Sequence, residues 1–459
     1  MWLSHINRTF AAGKTKHTDN MTKNRFFCIP LLMAAAMAAT AGDISYTTNP
    51  QTGAVSSISI DGDTTRMDWM LRTDGKQYAW VTERYGWGLG YMTVNGRRYE
   101  WRNPEKSSGD VGAVSYKAGG ISIEVSRKPA EGGFTESYTF INNSGADARL
   151  IDMGIYTPFN DNYPDSRKCM AGRCNAHIWP GGNAAYVNAV RMRGTGGGVG
   201  LAVTEGSITA YDVWERGREK GMSNYRGVIA LCPPDTVLRS GGRMSVTWRV
   251  FSHEGSSDFR NKLTSYGGAV VSSPKYVYET GETATVEIET AEGRRTVSRK
   301  ITGPGEVTVS LAYGNGKTTF AQLLGVSSYE GLIAKRIGFI LDRQQMNDPA
   351  DPRYGAFMVY DNELGKIYLN DGARASSDTD EGRERVGMGL LLAKWYARHP
   401  DGRLREALVR YAAFIRNRLQ TADYTTYSKA SKTGKIRGYN YPWIADFYFH
   451  MYGITGDRQ

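Results

Sequence analysis

The chain has 459 residues and a formal net charge of +11, and its basic residues are spread along the sequence. That length allows about two or three domains. Because the positive charge forms no long run, we interpret it as an ordinary solvated surface and predict no nucleic-acid partner. The 54 glycines, 28 tyrosines and 10 tryptophans favour a β-rich protein whose aromatic rings fill a core or stack on sugars.

A segment near the N-terminus has the features of an export signal. Translation from Met21 would place two basic residues before an apolar stretch over 26–38, followed by small residues that end at Ala41. We therefore predict that residues 1–41 are an over-extended start followed by a signal peptide (21–41), and that the protein is periplasmic or secreted. The apolar stretch is too short to cross a membrane, so we predict no membrane span. A buried N-terminal helix is the alternative.

Three cysteines follow the predicted leader. Cys169 and Cys174 bracket the short segment CMAGRC, and an exported location permits disulfides, so we predict a bond between them. A metal site is the weaker alternative, because His177 is the one soft ligand nearby in sequence. We predict no metal ion and no cofactor.

The next part of the chain, residues 42–265, has the pattern of a large antiparallel β-sandwich. Short segments alternate apolar and polar residues between Gly, Asn and Asp turns, and no long amphipathic helix is evident. These segments are SSISIDG, GISIEVSRK, ESYTFINNSG, GVGLAVTEGSI and MSVTWRVFSHEG. Residues 266–322 contain further short strands, which indicates either a small β module or a continuation of the first sheet system.

Helical periodicity begins after this β segment, over residues 323–459. SYEGLIAKRIGFILDRQQM is the first predicted helix, and two more are joined into a hairpin by Pro400-Asp401-Gly402. The second helix of the hairpin has an apolar face composed of Leu404, Leu408, Tyr411, Ile415 and Leu419. After one further helix the chain stops in the middle of the pattern, so we interpret this part as incomplete at its C-terminal end.

The last predicted helix is PWIADFYFHMYG. Its spacing places Trp443, Phe447 and Met451 on one side, and we expect the helix to end at Gly453.

The order of these parts resembles the six-hairpin (α/α)6-toroid glycosidase superfamily, whose glucoamylase-like members have a sandwich, a linker helix and a toroid. The segments CNAHIWPGGNAAYVNAVRM, RIGFILDRQQ, DPRYGAFMVYD and YNYPWIADFYFHMY are similar to those of uncharacterised exported carbohydrate-active proteins of gut Bacteroidetes. The resemblance implies a β-then-α multidomain fold: a large antiparallel sandwich, a small β module and the first hairpins of a toroid. It also implies a glycan substrate.

Glycoside hydrolysis requires two carboxyl groups beside the scissile bond, one of them held protonated. The segment SSDTDEG contributes Asp380 and Glu381, and Asp361 follows Tyr360 in VYDNELG. We predict Asp380, Glu381 and Asp361 as catalytic residues and Tyr360 as a substrate contact. Asp380 and Glu381 are also suited to capping the helix that follows, which is the structural alternative.

The segment YNYPWIAD is the second candidate site. We predict that Tyr441 and Trp443 stack on sugar rings and that Asn440 donates a hydrogen bond to the substrate. The alternative for both aromatic residues is packing within the helical core.

Three functions are compatible with these residues. The leading hypothesis is an exported glycoside hydrolase, or an N-terminal fragment of one. A polysaccharide lyase acting on uronic-acid glycans is the second, with Tyr439, Asn440 and Arg437 as candidates for proton abstraction. Non-catalytic glycan binding is the third.

Overall fold

The structure is a computed structural model that describes residues 43–71, 85–107, 112–161, 165–214, 228–369, 382, 385–432, 436, 438 and 441–458. The predicted leader therefore lies outside the described residues. Most of the described secondary structure is antiparallel β-sheet, and six helices accompany it. The β-rich multidomain fold expected from the sequence is confirmed. Among the described residues, no helix is both long enough and apolar enough to cross a membrane.

Within its described residues, the N-terminal part contains sixteen strands, which form a hairpin and two larger sheets. The strands are β1 (Ile44–Thr48), β2 (Val55–Ile60), β3 (Gly90–Val94), β4 (Arg97–Trp101), β5 (Pro104–Ser107), β6 (Ala113–Ala118), β7 (Ile121–Ala130), β8 (Gly133–Asn142), β9 (Ala148–Tyr156), β10 (Cys174–Trp179), β11 (Tyr186–Arg191), β12 (Gly198–Glu205), β13 (Ala210–Trp214), β14 (Val228–Cys232), β15 (Thr236–Leu238) and β16 (Arg243–His253). Strands β10-β11-β12-β16-β8-β7-β6-β5 form one sheet, and β13-β14-β9-β3-β4 form the other, with β15 paired to β9. All five strand segments predicted from alternation are present.

The two large sheets share one apolar core, as the period-2 pattern predicts. Trp101 of β4 and Phe140 of β8 meet across it edge to face, with ring centroids 5.7 Å apart. Two short helices flank the sandwich, α1 (Ser166–Gly172) and α2 (Ser256–Ser265). Neither helix was predicted. Both are short, and α2 buries only Phe259 and Leu263, so the sequence carries too few apolar repeats to reveal a helical period.

A buried ion pair lies inside the sandwich core. Arg127 on β7 and Glu136 on β8 are directly opposite in the register, with Nε and Oε1 2.6 Å apart and both side chains almost fully buried. The indole N–H groups of Trp87 and Trp248 each donate to the second carboxylate oxygen of Glu136 at 2.9 Å. Burial alone would lower the pKa of Arg127, but the adjacent Glu136 carboxylate raises it above its ordinary value.

Gly88 lies directly against this ion pair. Its φ is +91°, and a Cβ at this position would lie 2.6 Å from Arg127 Nη2 and 2.8 Å from Tyr138 Oη. Only glycine satisfies both the backbone angle and the close approach.

The structure does not contain the predicted disulfide between Cys169 and Cys174. No bond joins the sulfurs of Cys169 and Cys174. Cys169 lies on α1, whereas Cys174 is the first residue of β10 and its side chain packs into the main sandwich core. Burial raises the pKa of the Cys174 thiol well above its ordinary value. The predicted disulfide is therefore not formed in this structure.

The following β segment forms two small sheets of its own. Its strands are β17 (Val270–Ser272), β18 (Val277–Glu279), β19 (Thr283–Thr290), β20 (Gly293–Lys300), β21 (Gly305–Tyr313) and β22 (Lys317–Val326), in the orders β17-β19-β20 and β18-β22-β21. A separate apolar cluster lies between these sheets. We call this segment the small β module.

The helical part begins with α3 (Tyr329–Phe339), which continues as a π-helical turn to Gln344. A two-stranded hairpin follows, β23 (Tyr360–Asp361) and β24 (Lys366–Ile367), and then α4 (Val386–Tyr396), α5 (Gly402–Phe414, extended by a π-helical turn to Leu419) and α6 (Tyr441–Thr455). Asp401 caps α5 by accepting the N–H of Leu404 at 2.8 Å. The predicted helical hairpin is confirmed, and its five predicted apolar positions are all buried.

The buried Arg127–Glu136 ion pair leads to a prediction about the stability of the fold. We expect Glu136→Gln to lower the free energy of unfolding by about 3–5 kcal/mol, because Arg127 would keep its charge in the core without a counter-charge. Urea unfolding followed by tryptophan fluorescence measures this loss.

Lys117→Met is the matched control. It removes an ion pair with Glu105 of similar length, 2.8 Å, between largely exposed side chains, so the expected loss is about 1 kcal/mol or less. Equal losses in the two variants would contradict the importance of the buried pair.

Candidate functional site

The predicted site residues divide into two groups. Asp380, Glu381 and Asn440 lie outside the described residues, as do Tyr439 and Arg437. The other four, Tyr360, Asp361, Tyr441 and Trp443, are described and belong to the helical part.

Asp361 supports a turn within its own hairpin. Its Oδ1 atom accepts the backbone N–H groups of Glu363 and Leu364, each at 2.9 Å, which is the pattern of an Asx turn. The ring of Tyr360 packs edge to face against Phe339 of α3, with centroids 5.0 Å apart. The Asp361 carboxylate therefore stabilises the turn between β23 and β24, and Tyr360 anchors this hairpin to α3.

The N-terminal ends of α4 and α6 are adjacent. A Cβ on Gly387 in α4 would lie 3.6 Å from the ring of Trp443 in α6, and further along the same helices Lys394 and Asp446 form a 3.0 Å ion pair. The segment SSDTDEG (376–382) ends shortly before α4 begins at Val386, and the segment YNY (439–441) leads into α6, which begins at Tyr441. The two candidate regions therefore lead into helix ends that lie together. We call this place the α4–α6 end.

Trp443 is a surface residue of the α4–α6 end. Its side chain is 55% exposed, whereas Ile444, Phe447 and Met451 form the buried face of α6. Packing within the helical core, the alternative given for Trp443, does not fit this exposure. The helix also continues past Gly453, to Thr455. An exposed indole can stack on a ligand ring.

A chain of hydrogen bonds fixes Tyr441. Its hydroxyl oxygen accepts the backbone N–H of Thr426 at 3.1 Å. The Thr426 hydroxyl accepts from the Gln420 amide at 3.1 Å, and the Gln420 carbonyl accepts from the Tyr448 hydroxyl at 2.8 Å. The Tyr441 hydroxyl is therefore held as an acceptor and can still donate its own proton.

A tightly packed aromatic layer lies beneath the site. Tyr411 of α5 is fully buried and contacts Phe447 of α6, with ring centroids 5.4 Å apart. A Cβ on Gly389 would lie 2.6 Å from the Tyr411 ring, so α4 needs glycine there to approach. Burial raises the pKa of Tyr411 well above its ordinary value, which keeps the phenol neutral.

A groove of about 730 Å³ lies between α5 and α6. Arg416 and Tyr424 form one wall, with the guanidinium carbon 4.4 Å from the Tyr424 ring centroid. Tyr448 also lines the groove, so the hydrogen-bond chain from Tyr441 ends there. Gln420 and Thr426 could not be found from the sequence, because polar residues of a connecting segment have no periodicity to distinguish them. Arg416 lies in the π-helical turn that extends α5, where only the apolar positions stand out in the pattern.

Metal binding has no support from the described part of the chain. There, no three His, Cys, Asp or Glu side chains are grouped in a way that could hold a metal ion. What the α4–α6 end does offer is a positioned phenol and an exposed indole.

Comparison with known proteins shows a strong similarity to a solved enzyme. The chain is 45% identical to a solved polysaccharide lyase from a gut Bacteroides, with a TM-score of 0.85. The match covers 91% of this chain and 66% of the lyase, so the chain spans less than two-thirds of the lyase's length. No protein-family model and no curated protein sequence matches the chain.

Two further solved structures are far more distant. A galactose mutarotase-like protein from Lactobacillus casei has 10% identity and a TM-score of 0.28, over 46% of this chain and all of that one. Heparinase III has 10% identity and a TM-score of 0.28, over 55% of this chain and 36% of its own. Similarities this weak carry no argument about function.

The unfolding free energies of two variants can test whether the Trp443 side chain is exposed. We expect Trp443→Ala to change the free energy of unfolding by about 0.5 kcal/mol or less, because the ring is on the surface. Phe447→Ala, on the buried face of the same helix, is expected to cost about 3–5 kcal/mol. Chemical unfolding of both variants measures the difference. A loss at Trp443 as large as that at Phe447 would show that the indole belongs to the core.

Proposed function

We propose that the protein acts as a polysaccharide lyase on uronic-acid glycans. The single observation that carries this proposal is the 45% identity to a polysaccharide lyase over 91% of the chain. The positive net charge of the chain is compatible with an acidic substrate. The match covers 66% of the lyase's own length, so its activity comes to this chain as a proposal.

The chemistry of such a lyase is a β-elimination. A base removes the proton on the carbon next to the uronate carboxylate, and the electron pair forms a carbon–carbon double bond. The bond to the glycosidic oxygen breaks, and that oxygen receives a proton as the leaving group. No water is consumed, and positive or hydrogen-bonding groups that neutralise the carboxylate stabilise the intermediate charge.

The α4–α6 end and the residues that precede α6 in sequence include candidates for these roles. We assign Tyr441 to proton transfer, since the Thr426 N–H holds its hydroxyl oxygen in place. Trp443 is suited to stack on a sugar ring. Tyr439, Asn440 and Arg437 precede α6 directly, so they remain candidates for the base and for carboxylate neutralisation.

The hydrolase alternative has less support. It depends on Asp361, Asp380 and Glu381, and the described one, Asp361, is engaged by two turn amides. The similarity to a lyase favours elimination over hydrolysis. As parts of the same proposal, the helices α3–α6 begin an α/α toroid, and residues 21–41 direct export.

The elimination can be tested through its product. Purified full-length protein is incubated with polygalacturonate, alginate and hyaluronan, and the ultraviolet absorbance of an unsaturated uronate is followed. We expect Tyr441→Phe to lower kcat by about 100-fold or more, because the phenolic proton is lost.

Tyr354→Phe is the matched control, since Tyr354 is an exposed tyrosine in a loop of the same helical part. It should keep the activity of the original protein. Unfolding midpoints, measured for both variants, separate loss of chemistry from loss of structure. Reducing ends released without any ultraviolet absorbance would establish hydrolysis and refute the lyase assignment.

A further inference from the structure

The small β module has a strongly basic edge. Strand β20 pairs only with β19 among the described strands, so it forms the border of its sheet. Its sequence, GRRTVSRK, contains four cations: Arg294, Arg295, Arg299 and Lys300. All residues of this strand except Val297 are exposed.

The charges at the two ends of β20 have different surroundings. Arg294 lies opposite Glu289 in the register and is 3.4 Å from its carboxylate. Arg299 and Lys300 lie opposite Ala284 and Thr283, and neither has an ion-pair partner within the described ranges of the chain. The far end of the strand therefore carries uncompensated positive charge.

A cavity of about 400 Å³ lies beside the other end of β20, where the strand meets the last residues of β21. The guanidinium of Arg295 reaches across to donate to the carbonyl oxygen of Ala312. Tyr313 lines this cavity and is 92% buried, being 8% exposed, yet its hydroxyl has no hydrogen-bond partner among the described residues. Leaving a buried hydroxyl unpaired is unfavourable, and a ligand oxygen in the cavity would satisfy it.

Protection against aggregation does not account for all of these features. Charged side chains on an edge strand prevent pairing with another sheet, and β20 benefits from that effect. That protective role requires neither a cavity next to the strand nor a lining tyrosine whose hydroxyl is buried and unpaired. Both features are expected of a binding site.

We propose that the β20 edge and the adjoining cavity form a binding site for an anionic polysaccharide. Arg295, Arg299 and Lys300 contact carboxylate or sulfate groups, and the Tyr313 hydroxyl bonds a sugar oxygen in the cavity. From Arg294 to Lys300 the strand spans about 20 Å, which suits an extended chain better than a single ion. This inference rests on the proposed function and adds a second contact with the same class of substrate, away from the chemistry.

The test is a binding measurement on the full-length protein. Affinity gel electrophoresis compares polygalacturonate, which carries carboxylates, dextran sulfate, which carries sulfates, and neutral dextran. We expect the unmodified protein to bind at least one anionic polymer and not neutral dextran. Arg299→Gln/Lys300→Gln should weaken that binding by about tenfold or more.

Two further variants distinguish a specific binding site from non-specific electrostatic attraction. Lys128→Gln/Arg239→Gln removes the same charge from exposed positions on the sandwich and should leave binding unchanged. Tyr313→Phe should weaken binding about threefold to tenfold without lowering the unfolding midpoint.

The outcomes are distinct. Three results would contradict the proposed site. Binding could be unchanged in Arg299→Gln/Lys300→Gln, it could fall equally in Lys128→Gln/Arg239→Gln, or neutral dextran could bind as well as the anionic polymers. Aggregation of the β20 variant with unchanged binding also overturns it and leaves only the protective role. If the site holds but no unsaturated product forms with any substrate, the proposed lyase activity fails and the binding site stands.

Discussion

The buried Arg127–Glu136 pair is the interaction on which the sandwich depends. The two side chains are neighbours on β7 and β8, but the carboxylate also accepts from Trp248 on β16 and from Trp87. Trp87 immediately precedes Gly88, whose N–H bonds to Tyr156 on the opposite sheet. One carboxylate thus links both sheets of the sandwich, and its charge is tolerable only because each of its oxygens is bonded.

The same pair also fixes the N-terminal hairpin. The Arg127 guanidinium donates to the carbonyl oxygen of Gly53, in the turn between β1 and β2, at 2.8 Å. The Tyr116 hydroxyl donates to the neighbouring carbonyl of Thr52 at 2.6 Å. Each of these buried polar groups would be unfavourable on its own, but together they form one hydrogen-bonded network. The network specifies how the β7–β8 strands, the Trp87–Gly88 segment and the turn between β1 and β2 meet.

The helical part follows a different principle, because shape rather than charge determines its packing. Gly389 lets α4 approach Tyr411 of α5, and Phe447 of α6 completes the contact. This packing brings Gly387 and Trp443 together at the α4–α6 end. Candidate binding groups are thereby carried on rigid helices, which is a suitable basis for a precise site.

Much of this architecture could be predicted from local patterns. The strands of the sandwich and the buried face from Leu404 to Leu419 follow directly from periods of two and 3.6 residues. The short helices α1 and α2 could not, because too few of their residues are apolar. For Trp443 the sequence left open whether the ring stacks on a ligand or packs in the core, because periodicity alone cannot decide whether Trp443 or Ile444 is buried at the border of an apolar face.

By itself, the sequence determined the order of parts, a β-rich region followed by helices, since apolar periodicity is a local property of the chain. Tertiary structure alone decided which polar groups meet. The Arg127–Glu136 pair, the link from Tyr441 through Thr426 to Tyr448, and the exposed edge of β20 each join or expose residues through register and packing. Such contacts depend on how elements assemble in space, and no spacing along the chain encodes them.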